Sequence, residues 1–218
     1  MLLKKSWFVL PYELKKINFS GVSNFRYPEE FVEKMLLAFT KKGDIIFDPF
    51  AGFGTTLFVA QKLGRVGIGI ECDAKRYKYI NEKIKLPSKI IHGDSLKLAS
   101  YDLPLFDFSL TSPPYMRSID KENPFRSSQN PHAYSSYLKD IQKIYLQLKS
   151  KMKKNAIIIL EVSNTFEKGH PMTPLAWDIA KVVSSVFYLE REIIYCHENL
   201  KDKKGQANHS YCLIFKNK

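Results

Sequence analysis

The chain has 218 residues, of which 44% are hydrophobic and 26% are charged, a balance typical of a globular protein and not of a disordered segment. It has 34 Lys and Arg residues against 22 Asp and Glu residues, so its formal net charge is +12. This excess indicates a polyanionic partner, nucleic acid before a membrane surface. No apolar run approaches the roughly 20 residues that span a bilayer, and the first residues lack the layout of a cleavable signal.

The three cysteines, Cys72, Cys196 and Cys212, are odd in number and form no Cys-x-x-Cys pair. This pattern predicts reduced thiols, and it argues against a disulfide scaffold and against a metal site. No repeat, linker or low-complexity segment marks a domain boundary. We therefore expect one domain over residues 1–218, in a cytoplasmic protein.

Short apolar runs alternate with helical patterns along the chain. The runs, each predicted as a strand, cover residues 44–50, 66–71, 89–94, 105–110, 156–162, 189–196 and 210–215. Several are almost continuously hydrophobic, which is typical of parallel strands that are buried on both faces.

Four helices are predicted between these strands. They cover residues 55–63, a segment from a capping Asp73 to a point before Pro87, residues 134–152, and a segment through Phe187 with Thr173 as N-cap and Pro174 as the first helical residue. The alternation predicts an α/β, Rossmann-like, doubly wound sheet that is mostly parallel and seven-stranded. The last two runs follow each other without a helix, so they predict an antiparallel edge hairpin.

Ligands of such a sheet bind beyond the carboxyl ends of its strands. The first strand ends in Asp48-Pro49-Phe50-Ala51-Gly52-Phe53-Gly54-Thr55-Thr56, whose glycines let backbone approach a ligand, although a plain tight turn also explains them. Glu71 ends the second strand, and its carboxylate could accept hydrogen bonds from both hydroxyls of a ribose or could cap a helix. Asp94 ends the third strand and could accept an adenine amino proton or form a turn. Together these ends predict a pocket for an adenosine-containing ligand.

The fourth strand ends in Thr111-Ser112-Pro113-Pro114-Tyr115. The two prolines fix the backbone and offer no N–H, so the neighbouring carbonyls are rigid acceptors that no local backbone donor occupies. The Ser112 hydroxyl is a further acceptor, and the Tyr115 ring could stack on a base. Two fixed acceptors suit an exocyclic amino group, which has two hydrogens to be held. A proline-rich turn without function is the alternative.

These two segments resemble motifs of the amino-group (N4-cytosine and N6-adenine) nucleic-acid methyltransferases. The segment from Asp48 to Thr56 resembles motif I of that family, Asp-Pro-Phe-x-Gly-x-Gly-Thr-Thr. Ser112-Pro113-Pro114-Tyr115 resembles the catalytic motif IV, in which Asp, Asn or Ser precedes Pro-Pro-Tyr. Tyr27-Pro28-Glu29-Glu30-Phe31 is similar to the segment beside the methionine part of the cofactor. The likeness covers roughly residues 24 to 216.

The resemblance implies S-adenosylmethionine as the cofactor and Ser112, Pro113, Pro114 and Tyr115 as the catalytic residues. The cofactor-binding residues that it implies are Tyr27, Pro28, Asp48, Pro49, Phe50, Gly52, Gly54, Thr55, Thr56, Glu71, Cys72, Asp94 and Ser95. In this family Ser at the first position of motif IV accompanies mainly cytosine N4, whereas Asp accompanies mainly adenine N6. Ser112 therefore favours cytosine N4 and argues against protein glutamine, which goes with Asn.

Sequence-specific DNA members of the family have a separate target-recognition domain, and none is expected here. The long irregular stretches are residues 116–132 and 199–208. We therefore expect a small methyltransferase that acts on cytidine in structured, ribosomal RNA. The alternatives are a site-specific DNA cytosine-N4 methyltransferase and a non-catalytic nucleic-acid-binding protein with the same fold.

Basic and aromatic residues follow motif IV closely, and four of them are candidates for contact with nucleic acid: Arg117, Lys121, Phe125 and Arg126. Cations at these positions could neutralise phosphates, and the ring could stack on an unpaired base. A flipped base is less costly to obtain from a loop than from a duplex, which also favours RNA.

Overall fold

The structure of the chain, a computed structural model, describes residues 5–17, 26–126, 132–198 and 208–218. In these residues a mixed sheet lies between two layers of helices. The strands are β1 (Trp7–Leu10), β2 (Ile45–Asp48), β3 (Val66–Glu71), β4 (Lys89–His92), β5 (Phe106–Thr111), β6 (Met152–Val162), β7 (Tyr188–His197) and β8 (His209–Lys216). The helices are α1 (Glu29–Phe39), α2 (Thr55–Lys62), α3 (Ala74–Asn81), α4 (Ala133–Lys149) and α5 (Leu175–Ser184), and a 3-10 helix spans Ser95–Ser100. Of the helices in these ranges, none is long and apolar enough to cross a membrane.

The order of strands in the sheet is β1-β7-β8-β6-β5-β2-β3-β4. Neighbouring strands are parallel except at β8, which is antiparallel to both β6 and β7. The strands β2, β3 and β4 follow one another toward one edge of the sheet, while β5 and β6 continue from β2 toward the other edge. At the centre β2 and β5 are paired, with Ile46 opposite Phe108 and Phe47 opposite Ser109. The loops that follow β2 and β5 therefore open side by side, at the switch point where doubly wound sheets bind ligands.

The seven predicted strands are confirmed, as is the Rossmann-like, mostly parallel sheet with its antiparallel hairpin. The number of strands is wrong, because β1 is an eighth strand that pairs in parallel with β7 and covers the outer side of the hairpin. The Phe8 ring of β1 is buried against Tyr195 and Phe31, at centroid distances of 5.2 and 6.4 Å. Four residues carry too little periodicity to reveal this pairing, which depends on distant parts of the chain.

The predicted helices are present, with shifts at their ends. Asp73 caps α3 as expected, since its carboxylate accepts the Arg76 N–H at 2.8 Å. The predicted start of α5 is wrong by one residue, because Pro174 and not Thr173 is the N-cap. The Thr173 hydroxyl accepts the Ser118 N–H at 2.9 Å instead, so it is not available to cap the helix. The last helix also ends earlier than expected, while α1 and the 3-10 helix were not predicted.

Two apolar layers hold the sheet between the helices. On one face α4 and α5 pack their buried side chains against β5 and β6, with Tyr137, Ile144 and Ile179 fully buried. On the other face α1 and α2 cover the sheet, with Phe31 and Met35 fully buried. Burial on both faces explains the nearly continuous hydrophobicity of the central strands. Polar side chains are thereby concentrated at the strand ends.

Candidate active site

The buried carboxylate of Asp48, the last residue of β2, joins three segments of the chain. Its oxygens accept hydrogen bonds from the Thr111 hydroxyl at 2.6 Å, from the Phe50 N–H at 3.0 Å and from the Tyr27 hydroxyl at 3.4 Å. Tyr27 also shares a hydrogen bond with the hydroxyl of Thr56 on α2. Burial raises the pKa of Asp48 to about 6, although these hydrogen bonds oppose the rise. Asp48 thus links the glycine turn, the end of β5 and the segment before α1.

The turn after Asp48 has the backbone conformation for which glycine is suited. Gly52 and Gly54 have φ angles of +56° and +79°, and Gly54 is the N-cap of α2. A Cβ on Gly54 would lie 3.0 Å from the Ile80 side chain, whereas a Cβ on Gly52 would meet only the Phe50 carbonyl oxygen at 3.9 Å. The space above Gly52 is therefore open, and the first turn of α2 has no side-chain cap. Open space beside uncapped N–H groups fits a cofactor that approaches the backbone closely.

The other residues of this region that the sequence assigns to the cofactor lie around the same turn. Pro28 is the buried N-cap of α1, Pro49 is buried, and Thr55 is buried in the first turn of α2. The Pro49 carbonyl accepts the hydroxyl of Ser95, so the loops after β2 and β4 are in direct contact.

Glu71, at the end of β3, shapes the glycine turn through its two oxygens. Oε2 accepts the Gly52 N–H and Oε1 accepts the Asp73 N–H, both at 2.8 Å. Burial raises the pKa of Glu71, while these two backbone bonds lower it. A carboxylate oxygen can accept more than one hydrogen bond, so Glu71 retains the capacity to hold hydroxyl groups. The exposed thiol of Cys72 lies 3.8 Å from Oε1.

Asp94 follows β4 and has a local structural role. Its Oδ1 accepts the Leu96 N–H at 2.9 Å, as in the turn considered from the sequence, and its own N–H is bonded to the Tyr101 hydroxyl at 2.8 Å. The carboxylate is half-buried at the same edge of the sheet as Glu71. The adenine contact of Asp94 stays a prediction.

The motif after β5 forms a rigid turn beside Asp48. Pro113 is buried and Ser112 is half-buried. The Pro114 carbonyl accepts the Tyr137 hydroxyl of α4 at 2.9 Å. The donor is a side chain from another element, so the prediction that no local backbone donor occupies the carbonyls of this turn is not contradicted. The roles of the Ser112 hydroxyl and the Pro113 carbonyl as acceptors for the amino group stay a prediction.

Tyr115 is fixed at one end and exposed at the other. Its hydroxyl accepts the Ser163 N–H at 2.7 Å, and burial raises the pKa of this hydroxyl well above its usual value. The residue as a whole is 39% exposed. A ring that is held by its buried hydroxyl and remains accessible is suited to stacking.

Sequence reasoning missed one residue of this region, Glu161, near the end of β6. The residue is 7% exposed. Burial raises the pKa of its carboxyl group, while hydrogen bonds with Ser112 and Tyr115 lower it. The signal was present, because Glu161 is the one charged residue within the apolar run 156–162. A carboxylate in a strand that is buried on both faces requires an explanation.

The two arginines that were predicted to bind phosphate are paired with carboxylates of the chain. Arg117 makes ion pairs with Asp120, at 2.7 Å, and with Glu167. Arg126 binds Asp140 through two nitrogens, at 2.7 and 2.5 Å. The charges of both guanidinium groups are therefore largely compensated. Their contact with nucleic acid stays a prediction.

Phe125 and Lys121 lie in the same segment. The Phe125 ring stacks on Tyr137, with centroids 5.5 Å apart, and is tilted against Phe50 at 5.6 Å. It therefore packs against the apolar core, while Lys121 is exposed. Parts of the two irregular stretches, residues 127–131 and 199–207, lie outside the described residues.

Comparisons with known proteins agree with this geometry. Residues 2–82 match the family model N6_N4_Mtase, which is described as DNA methylase. The chain is 40% identical over 72 residues to the type II methyltransferase M2.DpnII of Streptococcus pneumoniae, covering 33% of this chain and 27% of that protein. It is 42% identical over 57 residues to the type II methyltransferase M.HpaI of Haemophilus parainfluenzae, covering 26% of this chain and 18% of that protein. The chain thus matches about a quarter or less of the length of these relatives.

Solved structures share the fold over most of the chain. TrmN from Thermus thermophilus has a TM-score of 0.60 at 13% identity, covering 86% of this chain and 47% of that one. A putative RNA methyltransferase from Pyrococcus horikoshii has a TM-score of 0.57 at 16% identity, covering 95% of this chain and 92% of that one. A TehB-like SAM-dependent methyltransferase from Corynebacterium glutamicum has a TM-score of 0.57 at 16% identity, covering 86% of this chain and 87% of that one. At these identities the likeness shows the fold.

The open glycine turn, its link to Glu71 and the methyltransferase fold together identify S-adenosylmethionine as the cofactor of this site. Over residues 2–82, the segment that carries the glycine turn and Glu71, the chain is similar to the N6/N4 amino-methyltransferases.

Proposed function

We propose that the protein transfers a methyl group from S-adenosylmethionine to the exocyclic N4 amino group of cytosine in nucleic acid. The observation that carries this proposal is the 2.6 Å hydrogen bond from Thr111 to Asp48. It ties the end of the motif IV strand to the start of the glycine turn, so the amino-holding acceptors and the cofactor turn lie side by side. Neither segment alone supports transfer between two bound molecules.

The residues of the chain act mainly by positioning. S-adenosylmethionine, when bound, supplies a methyl group on a positively charged sulfur. The Ser112 hydroxyl and the Pro113 carbonyl accept the amino hydrogens, and the Tyr115 ring stacks on the base. The lone pair of the amino nitrogen then forms the new bond to the methyl carbon as the carbon–sulfur bond breaks, and one amino proton is lost to solvent. Fixed acceptors favour the charge that develops on the nitrogen.

Two polymers are each supported by a specific observation. The description of the matched family as DNA methylase, together with type II relatives, supports DNA. The charge of +12 supports a polyanionic partner, and structured RNA offers unpaired cytosines that need no flipping out of a duplex. The ion pairs of Arg117 and Arg126 weaken the case for direct phosphate contacts by these side chains with either polymer, because their charges are already compensated.

A competition assay separates the polymers. Tritiated S-adenosylmethionine is incubated with protein and with ribosomal RNA, duplex DNA of mixed sequence, or both, and the product nucleosides are identified by mass spectrometry. N4-methylcytidine in the ribosomal RNA would support RNA as the substrate, and N4-methyldeoxycytidine at a defined short sequence would support DNA. N6-methyladenine would contradict the assignment of the base. Tight binding to nucleic acid without any transfer would indicate a non-catalytic binding protein.

The role of Ser112 is tested by Ser112→Ala. We expect turnover to fall about 100-fold, since one of two fixed acceptors is lost, while the affinity for S-adenosylhomocysteine changes little. Ser150→Ala is the matched control, because Ser150 is exposed at the far end of α4, beside the amino ends of the strands. An equal loss of cofactor affinity in Ser112→Ala would contradict the role given to its hydroxyl.

A further inference from the structure

A short hairpin follows β6 at the edge of the sheet that carries motif IV, and the mechanism above does not use it. Its two arms meet at an antiparallel bridge, in which the backbone N–H groups of Thr165 and Thr173 each donate to the carbonyl of the other, at 3.1 and 3.0 Å. We call residues 165–173 the exit hairpin. The chain turns back near Gly169, whose φ angle is +83°. Among the described residues no atom lies within 4 Å of a Cβ placed on Gly169, so the tip of the exit hairpin lies in open space.

Two hydrogen bonds fix the base of the exit hairpin to the segment of motif IV. Just before the hairpin, the Ser163 N–H donates to the Tyr115 hydroxyl at 2.7 Å. At its other end the Thr173 hydroxyl accepts the Ser118 N–H at 2.9 Å, and Thr173 is only 3% exposed. Both bonds involve a backbone group of one segment, so they hold the exit hairpin at a fixed place beside the accessible ring of Tyr115.

Exposed apolar side chains are grouped around these contacts. Phe166 and Met172 come next to the bridge on the two arms of the hairpin, and they are 47% and 36% exposed. Ile119 follows Ser118 on the motif IV segment and is 37% exposed. A single exposed apolar residue needs no explanation, whereas three on two segments that are bonded to each other indicate an interaction surface.

This surface lies close to the place of the target base. Phe166 follows Ser163 by three residues, and three residues span at most about 10 Å. The Ser163 N–H is bonded to the hydroxyl of Tyr115, the residue whose ring stacks on the base in the proposed mechanism. Stacked nucleotides of one strand are about 3.4 Å apart. The Phe166 ring is therefore within reach of about the first three nucleotides on one side of the target.

The charges beside this surface suit a polyanion. Lys121 and Lys168 are exposed on the two segments. The carboxylates of Asp120 and Glu167 are both paired with Arg117, so they present little negative charge to a phosphate. Aromatic rings beside cations are the usual platform for single-stranded nucleic acid, because every base has a flat face and every nucleotide has a phosphate. These neighbours favour nucleic acid as the partner of the surface.

We propose that Phe166 stacks on a base that flanks the target cytosine and so holds the strand in place while the target lies on Tyr115. This inference rests on the proposed function and deepens it, because it names the part of the chain that binds the polymer beside the target.

The physical benefit of this contact is clear. A base that leaves its stack exposes the face of its neighbour to water, and an apolar ring that covers this face offsets part of the cost of unstacking. Stacking on a ring tolerates any base and does not distinguish RNA from DNA. The exit hairpin thus contributes affinity and register, while motif IV selects the amino group.

Binding of a labelled single strand tests this contact. A fluorescein-labelled strand of about 15 nucleotides with one central cytosine, made as RNA and as DNA, is titrated with protein and S-adenosylhomocysteine at constant salt, and fluorescence anisotropy gives Kd. Phe166→Ala should raise Kd about tenfold or more, because the stacking platform is lost. Phe166→Trp keeps a flat ring and should bind within about threefold of wild type.

Controls separate stacking from folding. Tyr188→Ala removes a ring that is 52% exposed at the amino end of β7, on the opposite edge of the sheet, and should bind as wild type. The Kd of S-adenosylhomocysteine, measured by calorimetry, reports whether each variant is folded. If Phe166→Ala does not bind this ligand, Phe166→Leu takes its place, since leucine is apolar but offers no flat face.

An abasic site in the strand shows whether the ring contacts a base. The abasic site is placed in turn at each of the positions within about three nucleotides of the cytosine. In wild type, the loss of the contacted base should raise Kd about tenfold. In Phe166→Ala the same loss should raise Kd no further, because the two changes remove one interaction. A merely structural role of Phe166 would leave the cost of the abasic site unchanged.

The outcomes for this inference and for the proposed function are distinct. Unchanged binding of both strands in Phe166→Ala would overturn the inference, and so would equal abasic costs in this variant and in wild type. A wild-type protein that binds neither strand would overturn it as well. Binding that depends on Phe166, without methyl transfer to any nucleic acid, would refute the proposed function and leave the stacking contact in place.

Discussion

Replacing Asp48 by Asn is expected to change how the stability of the protein depends on pH. The Asp48 side chain is 2% exposed, and burial raises its pKa to about 6. In the unfolded chain the same carboxyl has a pKa of about 3.9. The native state therefore binds this proton more tightly than the unfolded state does. As pH rises from the lower to the higher of these values, the free energy of unfolding falls.

The size of the effect follows from the difference between the two pKa values. A difference of about 2 units corresponds to about 3 kcal/mol. Asparagine keeps an oxygen that can accept from Thr111 and Phe50, and its amide can donate to the Tyr27 hydroxyl, so most of the hydrogen bonds survive. It has no proton to lose. Relative to the wild type, Asp48→Asn should become more stable by about 2–3 kcal/mol between about pH 4 and about pH 7.

Guanidinium unfolding at several pH values, followed by circular dichroism, measures this difference. Asp102→Asn is the matched control, because Asp102 is exposed and its replacement should leave the pH dependence of the wild type unchanged. Parallel stability curves for Asp48→Asn and wild type would refute the reasoning, since they would mean that the buried carboxyl titrates alike in the two states.

Two further substitutions test packing and the cofactor site. A Cβ on Gly67 would lie 2.8 Å from the Leu57 Cα, so Gly67→Ala should push α2 off β3 and lower the free energy of unfolding by about 1–3 kcal/mol in chemical denaturation. Glu71→Gln places an NH₂ group where an oxygen accepts from Gly52 or Asp73. The glycine turn should shift, and the affinity for S-adenosylhomocysteine should fall about tenfold in calorimetry.

Each of these two changes has a clear contrary result. An unchanged unfolding midpoint in Gly67→Ala would contradict the close approach of α2 to β3. Equal affinities in Glu71→Gln and wild type would show that the turn does not depend on Glu71. Glu82→Gln, at the exposed end of α3, is the control for the second change.

The part of the fold that depends on local pattern was predictable from the sequence. The run at residues 66–71 matches β3 to the residue, because a buried parallel strand leaves an uninterrupted apolar signature. The capping by Asp73 was equally local, since a carboxylate bonds to an N–H three residues away. The strand ends that carry Asp48 and Ser112 could be predicted to meet, because a parallel sheet brings its carboxyl ends to one edge.

What escaped prediction depends on partners that are distant in sequence. The hydroxyl of Thr173 has the chemistry of a cap, yet a backbone N–H from the loop after β5 occupies it. Arg117 and Arg126 were expected to be free for phosphate, and only the folded chain brings Glu167 and Asp140 to them. Glu161 was overlooked because its apolar neighbours dominate the pattern of β6.

The sheet ends on both sides in a strand of only four residues, β1 on one side and β4 on the other. Its longest strands, β6 and β7 with 11 and 10 residues, lie inside, and β1 pairs with the last four residues of β7. An exposed strand offers a row of unpaired N–H and C=O groups to any other chain, and the hazard grows with its length. By pairing with Ile194–His197, β1 shields the last four residues of β7 from strand addition, so this segment protects that part of the sheet against edge-to-edge aggregation.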